Sequence, residues 1–199
     1  MCSIAADATS ATLTFREATP SFANAIRRTL LLEIPGVAVS TVDVRENTSF
    51  FACEVLAHRI GLVPPLPSVS ENSRFILSAH GPIDVFSDAL VDEDTYDSLF
   101  VKGIFLFRLA EGQGVIFSGS FRIGTGKENA RFSHVSGVSI ERVRGDGDVE
   151  EEGSKKKDSM VINFETINGE DPLDVSEKAA KVLLNRLESL EKSLSAIVV

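Results

Sequence analysis

Ala180, Leu183, Leu187, Leu190, Leu194 and Ile197 recur at alternating spacings of three and four residues in the last stretch of this chain. That beat belongs to a helix laying a narrow apolar seam against another helix. Asp171 or Asp174 caps its start, the latter with Glu177 at capping-box spacing. A fold built on such a helix has to supply a second helical face. By periodicity alone, a face in the same molecule is the commoner solution, with a face on another molecule as the alternative.

The second face is legible in Ser21–Pro65. Thr19 is a good N-cap and Pro20 fits the first helical position, where a missing donor costs nothing. Phe22, Ile26 and Leu30, with Ala23 and Ile34, then share one side, while Asn24, Arg27 and Arg28 lie off it. Pro35-Gly36 stops the helix. A strand precedes it at Ala11–Glu17, where apolar and polar residues alternate, and another follows at Val37–Glu46, with a phase slip that predicts a bulge near Ser40-Thr41. Asn47-Thr48-Ser49 supplies caps for a short helix from Phe50 to Arg59, ended by Gly61.

From Arg74 to Val143 the pattern is that of β-structure, with Val115, Phe117, Phe121 and Ile123 on one face of a long strand. Asp88–Asp97 is expected to be a solvated acidic loop, and Gly145–Asp158, with a run of acids beside a run of lysines, a mobile one. A last strand at Met160–Ile167 leads into the terminal helix.

Composition excludes more than it identifies. A chain of 199 residues, 43% apolar, can bury a substantial core. A net charge of −9 without a long basic run argues against a nucleic-acid-binding field. The N-terminal residues lack a secretory pattern and no run of apolar residues could span a bilayer, so the expectation is a soluble, intracellular, reducing setting with no membrane contact. Cys2 and Cys53 are too few for a disulfide framework or a four-cysteine zinc site, and read as ordinary thiols.

Active-site signals fail one by one. Around Gly124-Thr125-Gly126-Lys127-Glu128 the first glycine of a phosphate loop would fall at Phe121, and Glu128 stands where the magnesium-binding hydroxyl should be. His58, His80 and His134 are scattered, and Glu54 with His58 is a single pair without a second histidine. No nucleophile elbow accompanies the serines.

Four ordered blocks carry a resemblance. They are Asn24-Ala-Ile-Arg-Arg-Thr-Leu-Leu with Glu33-Ile-Pro; Glu46-Asn-Thr-Ser with Ala57-His-Arg-Ile-Gly-Leu-Val-Pro64; Leu109-Ala-Glu-Gly-Gln113 followed by Gly124-Thr-Gly-Lys-Glu-Asn-Ala-Arg-Phe132; and Val161–Val198. Together they resemble the alpha-like assembly subunit of multisubunit DNA-directed RNA polymerases, in its archaeal and eukaryotic form.

The resemblance implies an α+β fold. A discontinuous dimerisation domain, 1–46 plus 158–199, would have a small sheet and two helices, and would carry an inserted, mainly-β domain at 47–157. It implies a non-catalytic platform that pairs with a smaller alpha-like subunit through Phe22, Ile26, Leu30, Leu183, Leu187, Leu190 and Leu194. It also implies capture of the second-largest and largest subunits, a role carried onto Arg27, Arg28, Lys127, Glu128 and Arg131, without direct DNA contact. Relatives often hold zinc or an iron–sulfur cluster in the inserted domain. Here Cys53 is its lone cysteine, so neither metal nor cofactor is expected. Asn129, Phe132 and His134 depart from the residues usual in that loop region, which bears on contacts rather than fold. The chain ends directly after the helix, a compactness that suggests a viral or otherwise reduced polymerase. The alternatives are a homodimeric scaffold of bacterial-alpha type and an interaction module outside transcription.

Overall fold

The computed structural model describes residues 2–143 and 159–197, so the loop expected at Gly145–Asp158 lies outside the described residues. In chain order the elements are β1 (Cys2–Ala6), β2 (Ser10–Arg16), α1 (Pro20–Leu32), β3 (Pro35–Asn47), α2 (Cys53–Gly61), β4 (Arg74–His80), β5 (Ile83–Phe86), β6 (Val91–Asp92), β7 (Phe105–Leu109), β8 (Gly114–Thr125), β9 (Val135–Val143), β10 (Ser159–Thr166) and α3 (Pro172–Ile197). They divide into two compact units, Met1–Ile34 with Ser133–Val199, and Pro35–Phe132.

The discontinuous unit is an antiparallel sheet in the order β1-β2-β10-β9 with α1 and α3 on one face. Alternation sends Ala11 and Leu13 of β2, with Met160, Ile162 and Phe164 of β10, towards Ala23, Ile26 and Leu30 of α1 and Val175 and Ala179 of α3. Between β2 and β10 a polar pair, Thr12 Oγ1 to Asn163 Oδ1, closes at 2.8 Å.

Thr19 caps α1 as its sequence implies, its Oγ1 accepting from the Phe22 amide at 3.2 Å, and Pro20 opens the helix. Asp171 is the residue that caps α3, accepting from the Leu173 amide at 2.8 Å; Asp174 lies inside the first turn. The start of α3 is fixed further by a buried polar cluster. Glu170 Oε2 lies 2.8 Å from His134 Nδ1, Lys178 donates to Glu170 Oε1, and Asn168 Oδ1 accepts from the Glu170 amide at 3.2 Å. Burial opposes ionisation of Glu170, but Lys178 and His134 outweigh it and hold the carboxyl below its ordinary range.

The second unit joins a sheet in the order β3-β8-β4-β6 to the ribbon β5-β7, around a core rich in phenylalanine that includes Phe75, Phe100, Phe107 and Phe117. Register slips between Val39 and Thr41, the bulge expected at Ser40-Thr41, and again between Val44 and Glu46. Gly119 sits where nothing larger fits: a β-carbon there would come within 2.4 Å of both the Phe75 ring and the Thr41 carbonyl oxygen.

Several sequence expectations are corrected. The short helix begins at Cys53 rather than Phe50, because Asn47 spends its side chain on a turn, accepting from the Ser49 amide and donating to the Phe51 carbonyl. Ile123 does not share the burial of Val115, Phe117 and Phe121; it is 51% exposed at the end of β8. The acidic connector is more ordered than a solvated loop. Val91–Asp92 pairs with β4, and Asp92 Oδ1 accepts from the Asp94 and Thr95 amides, which keeps its carboxyl below the usual range.

The unit boundaries also shift, from 46/47 and 157/158 to 34/35 and 132/133. Hydrogen bonding decides this: β3 pairs along its length with β8, so it belongs to the second unit, while β9 pairs with β10 and returns to the first.

Candidate partner-docking surface

At 1.5 Å per residue the 26 residues of α3 make a rod of about 39 Å, longer than the sheet face beneath it can cover. Its first half packs inward through Val175 and Ala179, with Leu183 half-buried. From Leu184 to Ala196 every residue is exposed, and four of them are leucines. Leu184, Leu187, Leu190 and Leu194 each keep 53–56% of their surface in solvent. A soluble protein does not usually leave such a row uncovered.

The crossing of α1 and α3 frames two grooves. Arg186 donates to Glu33 Oε1 at the C-terminal end of α1 and ties the helices together. On one side lies a groove of ≈ 540 Å³ whose wall is almost wholly apolar, with Phe22, Ile26, Leu183, Leu184 and Leu187 among its residues. Phe22 is 43% exposed and held edge-on against Phe15, ring centroids 5.5 Å apart. On the other side a groove of ≈ 370 Å³ is bordered by Arg28, Thr29 and Glu33 together with Leu183, Leu187 and Leu190. Leu187 therefore borders both.

Of the residues expected to meet a small partner, Leu183, Leu187, Leu190 and Phe22 line these grooves, and Leu194 extends the exposed row. Ile26 is 8% exposed and reaches the groove wall. Leu30 is different: at 1% exposure it lies in the core of its own unit and offers no surface. Sequence reasoning missed Ile4, Leu173 and Leu184, which line the apolar groove and are 46–55% exposed. Leu184 breaks the three-and-four beat, and Ile4 sits in a strand too short to show an alternation.

The basic residues are spread over both units. Arg27 is half-buried and donates twice to Asn24 Oδ1, at 3.1 and 3.0 Å. Arg28 is exposed at the rim of the polar groove. In the second unit Arg131 donates to the Val39 carbonyl at 2.9 Å and lies over the Phe132 ring. Glu128 accepts from Arg122 at 3.0 Å and from the Thr125 amide at 3.2 Å, closing the loop; the guanidinium beside it keeps its carboxyl below the usual range. Lys127 is exposed at the loop tip and has no ion-pair partner among the described residues.

Among the described residues no three His, Cys, Asp or Glu side chains converge as a metal site. None of the described helices is long and apolar enough to cross a membrane.

Comparison with known proteins gives a consistent result. The family profile of the RNA polymerase Rpb3/Rpb11 dimerisation domain matches residues 12–187. The DNA-directed RNA polymerase subunit Rpo3 of Methanocaldococcus jannaschii is 31% identical over 181 residues, covering 89% of this chain and 86% of that protein. Its counterparts in Archaeoglobus fulgidus and Pyrococcus furiosus are 33% and 34% identical, covering 61% and 56% of this chain. The chain aligns with about half the length of these last two, 52% and 47%.

Proposed function

Because this chain belongs to the family of the RNA polymerase Rpb3/Rpb11 dimerisation domain, we propose that it is a non-catalytic assembly subunit of a DNA-directed RNA polymerase, pairing with a smaller chain of the same family. The exposed leucine row of α3 beside Phe22 is the observation that supports pairing. Burying what remains exposed of each half-covered leucine contributes about 1 kcal/mol. The four exposed leucines and Phe22 together contribute about 5 kcal/mol, and a reciprocal face on the partner about as much again. The total exceeds the lower range of the association cost, about 4–15 kcal/mol.

In this reading Phe22, Ile26, Leu183, Leu187, Leu190 and Leu194 form the small-partner interface, while Leu30 supports α1 from inside. Capture of the second-largest and largest subunits falls to Arg27, Arg28, Lys127, Glu128 and Arg131. Arg28 and Lys127 are the exposed cations of this set, suited to carboxylates or carbonyls of a large partner. The other three have internal partners that set the shape of the surface.

Co-expression with the smaller chain, followed by size-exclusion chromatography, tests the proposal. A one-to-one heterodimer is expected. A stable homodimer of this chain that excludes the smaller one would favour the bacterial-alpha-type scaffold instead.

A further inference from the structure

The helix-side face of the discontinuous unit is covered unevenly. α1 packs over β9 and β10, and α3 over β10 and β2. β1 pairs with β2 in the register Cys2 to Phe15, Ile4 to Leu13 and Ala6 to Ala11. Directly opposed residues in a sheet share a face, so Cys2, Ile4 and Ala6 point to the same side as the buried Leu13 and Ala11. Yet all five residues of β1 are exposed, and Ile4 keeps 48% of its surface in solvent. The core face of the sheet extends one strand further than its own helices do.

This uncovered strip is continuous with the leucine row. Cys2 and Ile4 of β1 line the same apolar groove as Phe22 of α1 and Leu184 and Leu187 of α3. A helix is about 10 Å across and strands are spaced about 4.8 Å apart, so one added helix beside α3 would span β1 and the groove together.

We propose that β1 is part of the docking surface, and that a helix of the smaller chain lies over it against α3, placing an aliphatic or aromatic side chain between Ile4, Phe22 and Leu184. The inference rests on the heterodimer reading and adds a third element to it. Its chemistry is apolar throughout, since the groove offers only Ser176 and the Lys181-paired Glu177 as polar groups near its edge besides the Cys2 thiol. An amphipathic helix with a wide apolar face fits; a charged one does not.

The chain supplies its own reporter. Cys2 lines the groove, while Cys53 belongs to the other unit, where its Sγ accepts from Asn47 at 3.3 Å. N-ethylmaleimide labelling of the full chain, alone and with the co-purified smaller chain, is read for both cysteines by peptide mass spectrometry. The expected result is labelling of Cys2 slowed about tenfold or more in the complex with Cys53 unchanged, and affinity weakened about tenfold or more by Ile4→Asp, a change equal to at least one charged group denied its apolar site. Ile4→Thr, which keeps the strand's β-branched character, should weaken binding less and controls for loss of the strand itself. An unchanged Cys2 rate, or an unaltered affinity of Ile4→Asp, in a complex that Leu187→Asp still disrupts overturns the role of β1 and leaves the heterodimer standing. A complex that forms despite Leu187→Asp overturns the heterodimer reading on which the inference rests.

Discussion

Arg186 of α3 donates to Glu33 at the end of α1, and this ion pair bridges the two helices beside the exposed apolar row of α3. The arginine side chain is 62% exposed and the glutamate 20%, so solvent screens much of the attraction. Arg186→Ala should therefore cost only about 0.5–1 kcal/mol of stability. The cost should shrink in high salt, measurable by denaturant unfolding at two ionic strengths.

The cluster around Glu170 predicts a pH dependence. Its carboxyl is held below the ordinary value of 4.5, so it binds its proton more weakly folded than unfolded. The stability it contributes is complete above the unfolded value and is lost as pH falls through the lower, folded one. Thermal unfolding between pH 7 and pH 3 should show the loss below about pH 4.5, and Glu170→Gln should flatten that part of the profile. At neutral pH the same variant should be destabilised by about 1–3 kcal/mol, since Lys178 and His134 lose a charged, hydrogen-bonded partner.

Gly119→Ala should destabilise the second unit by about 3 kcal/mol, because the Thr41 carbonyl oxygen that crowds the new methyl group beside the Phe75 ring is backbone and has no rotamer to escape into. Calorimetry of the full chain, with the transition of the β-rich unit shifted down, is the measurement.

Much of this fold is legible in the sequence wherever a residue's role is local. Thr19-Pro20 can cap only one way, and the phase slip at Ser40 shows as a bulge because alternation on a strand leaves no other reading. Asn47 defeats the same logic: its side chain can cap a helix or close a turn, and here it closes a turn. Apolar periodicity is silent on whose core a face joins. Leu30 and Leu187 both fall on a helical apolar stripe, yet one is 1% exposed and the other 56%. The difference is set by the length of α3 against the width of the sheet, which no single stripe encodes. The compact units divide at 34/35 and 132/133 rather than at the expected 46 and 158 for a similar reason, since β3 takes its strand partners 68 to 90 residues along the chain.

A substitution at Lys127 tests whether the two proposed assembly steps are separable. The lysine lies in the unit that does not contain α1 and α3, exposed at a loop tip whose shape Glu128 and Arg122 maintain. Lys127→Glu should leave the heterodimer intact and weaken addition of the second-largest subunit, read by stepwise reconstitution on a size-exclusion column. Loss of both steps together would indicate misfolding rather than a lost contact.

The central claim is that the exposed side of α3 is the covered side in the working complex, and Leu187, which borders both grooves, tests it most directly. Leu187→Asp places a carboxylate where an apolar partner surface is proposed, while in the isolated chain the side chain is 56% exposed and its replacement should not disturb folding. Co-purification of the smaller chain with wild type and with Leu187→Asp, alongside thermal melts of both, is the measurement. The account predicts unchanged melting of the isolated variant and complete loss of the partner; retention of the partner at wild-type stoichiometry would contradict it.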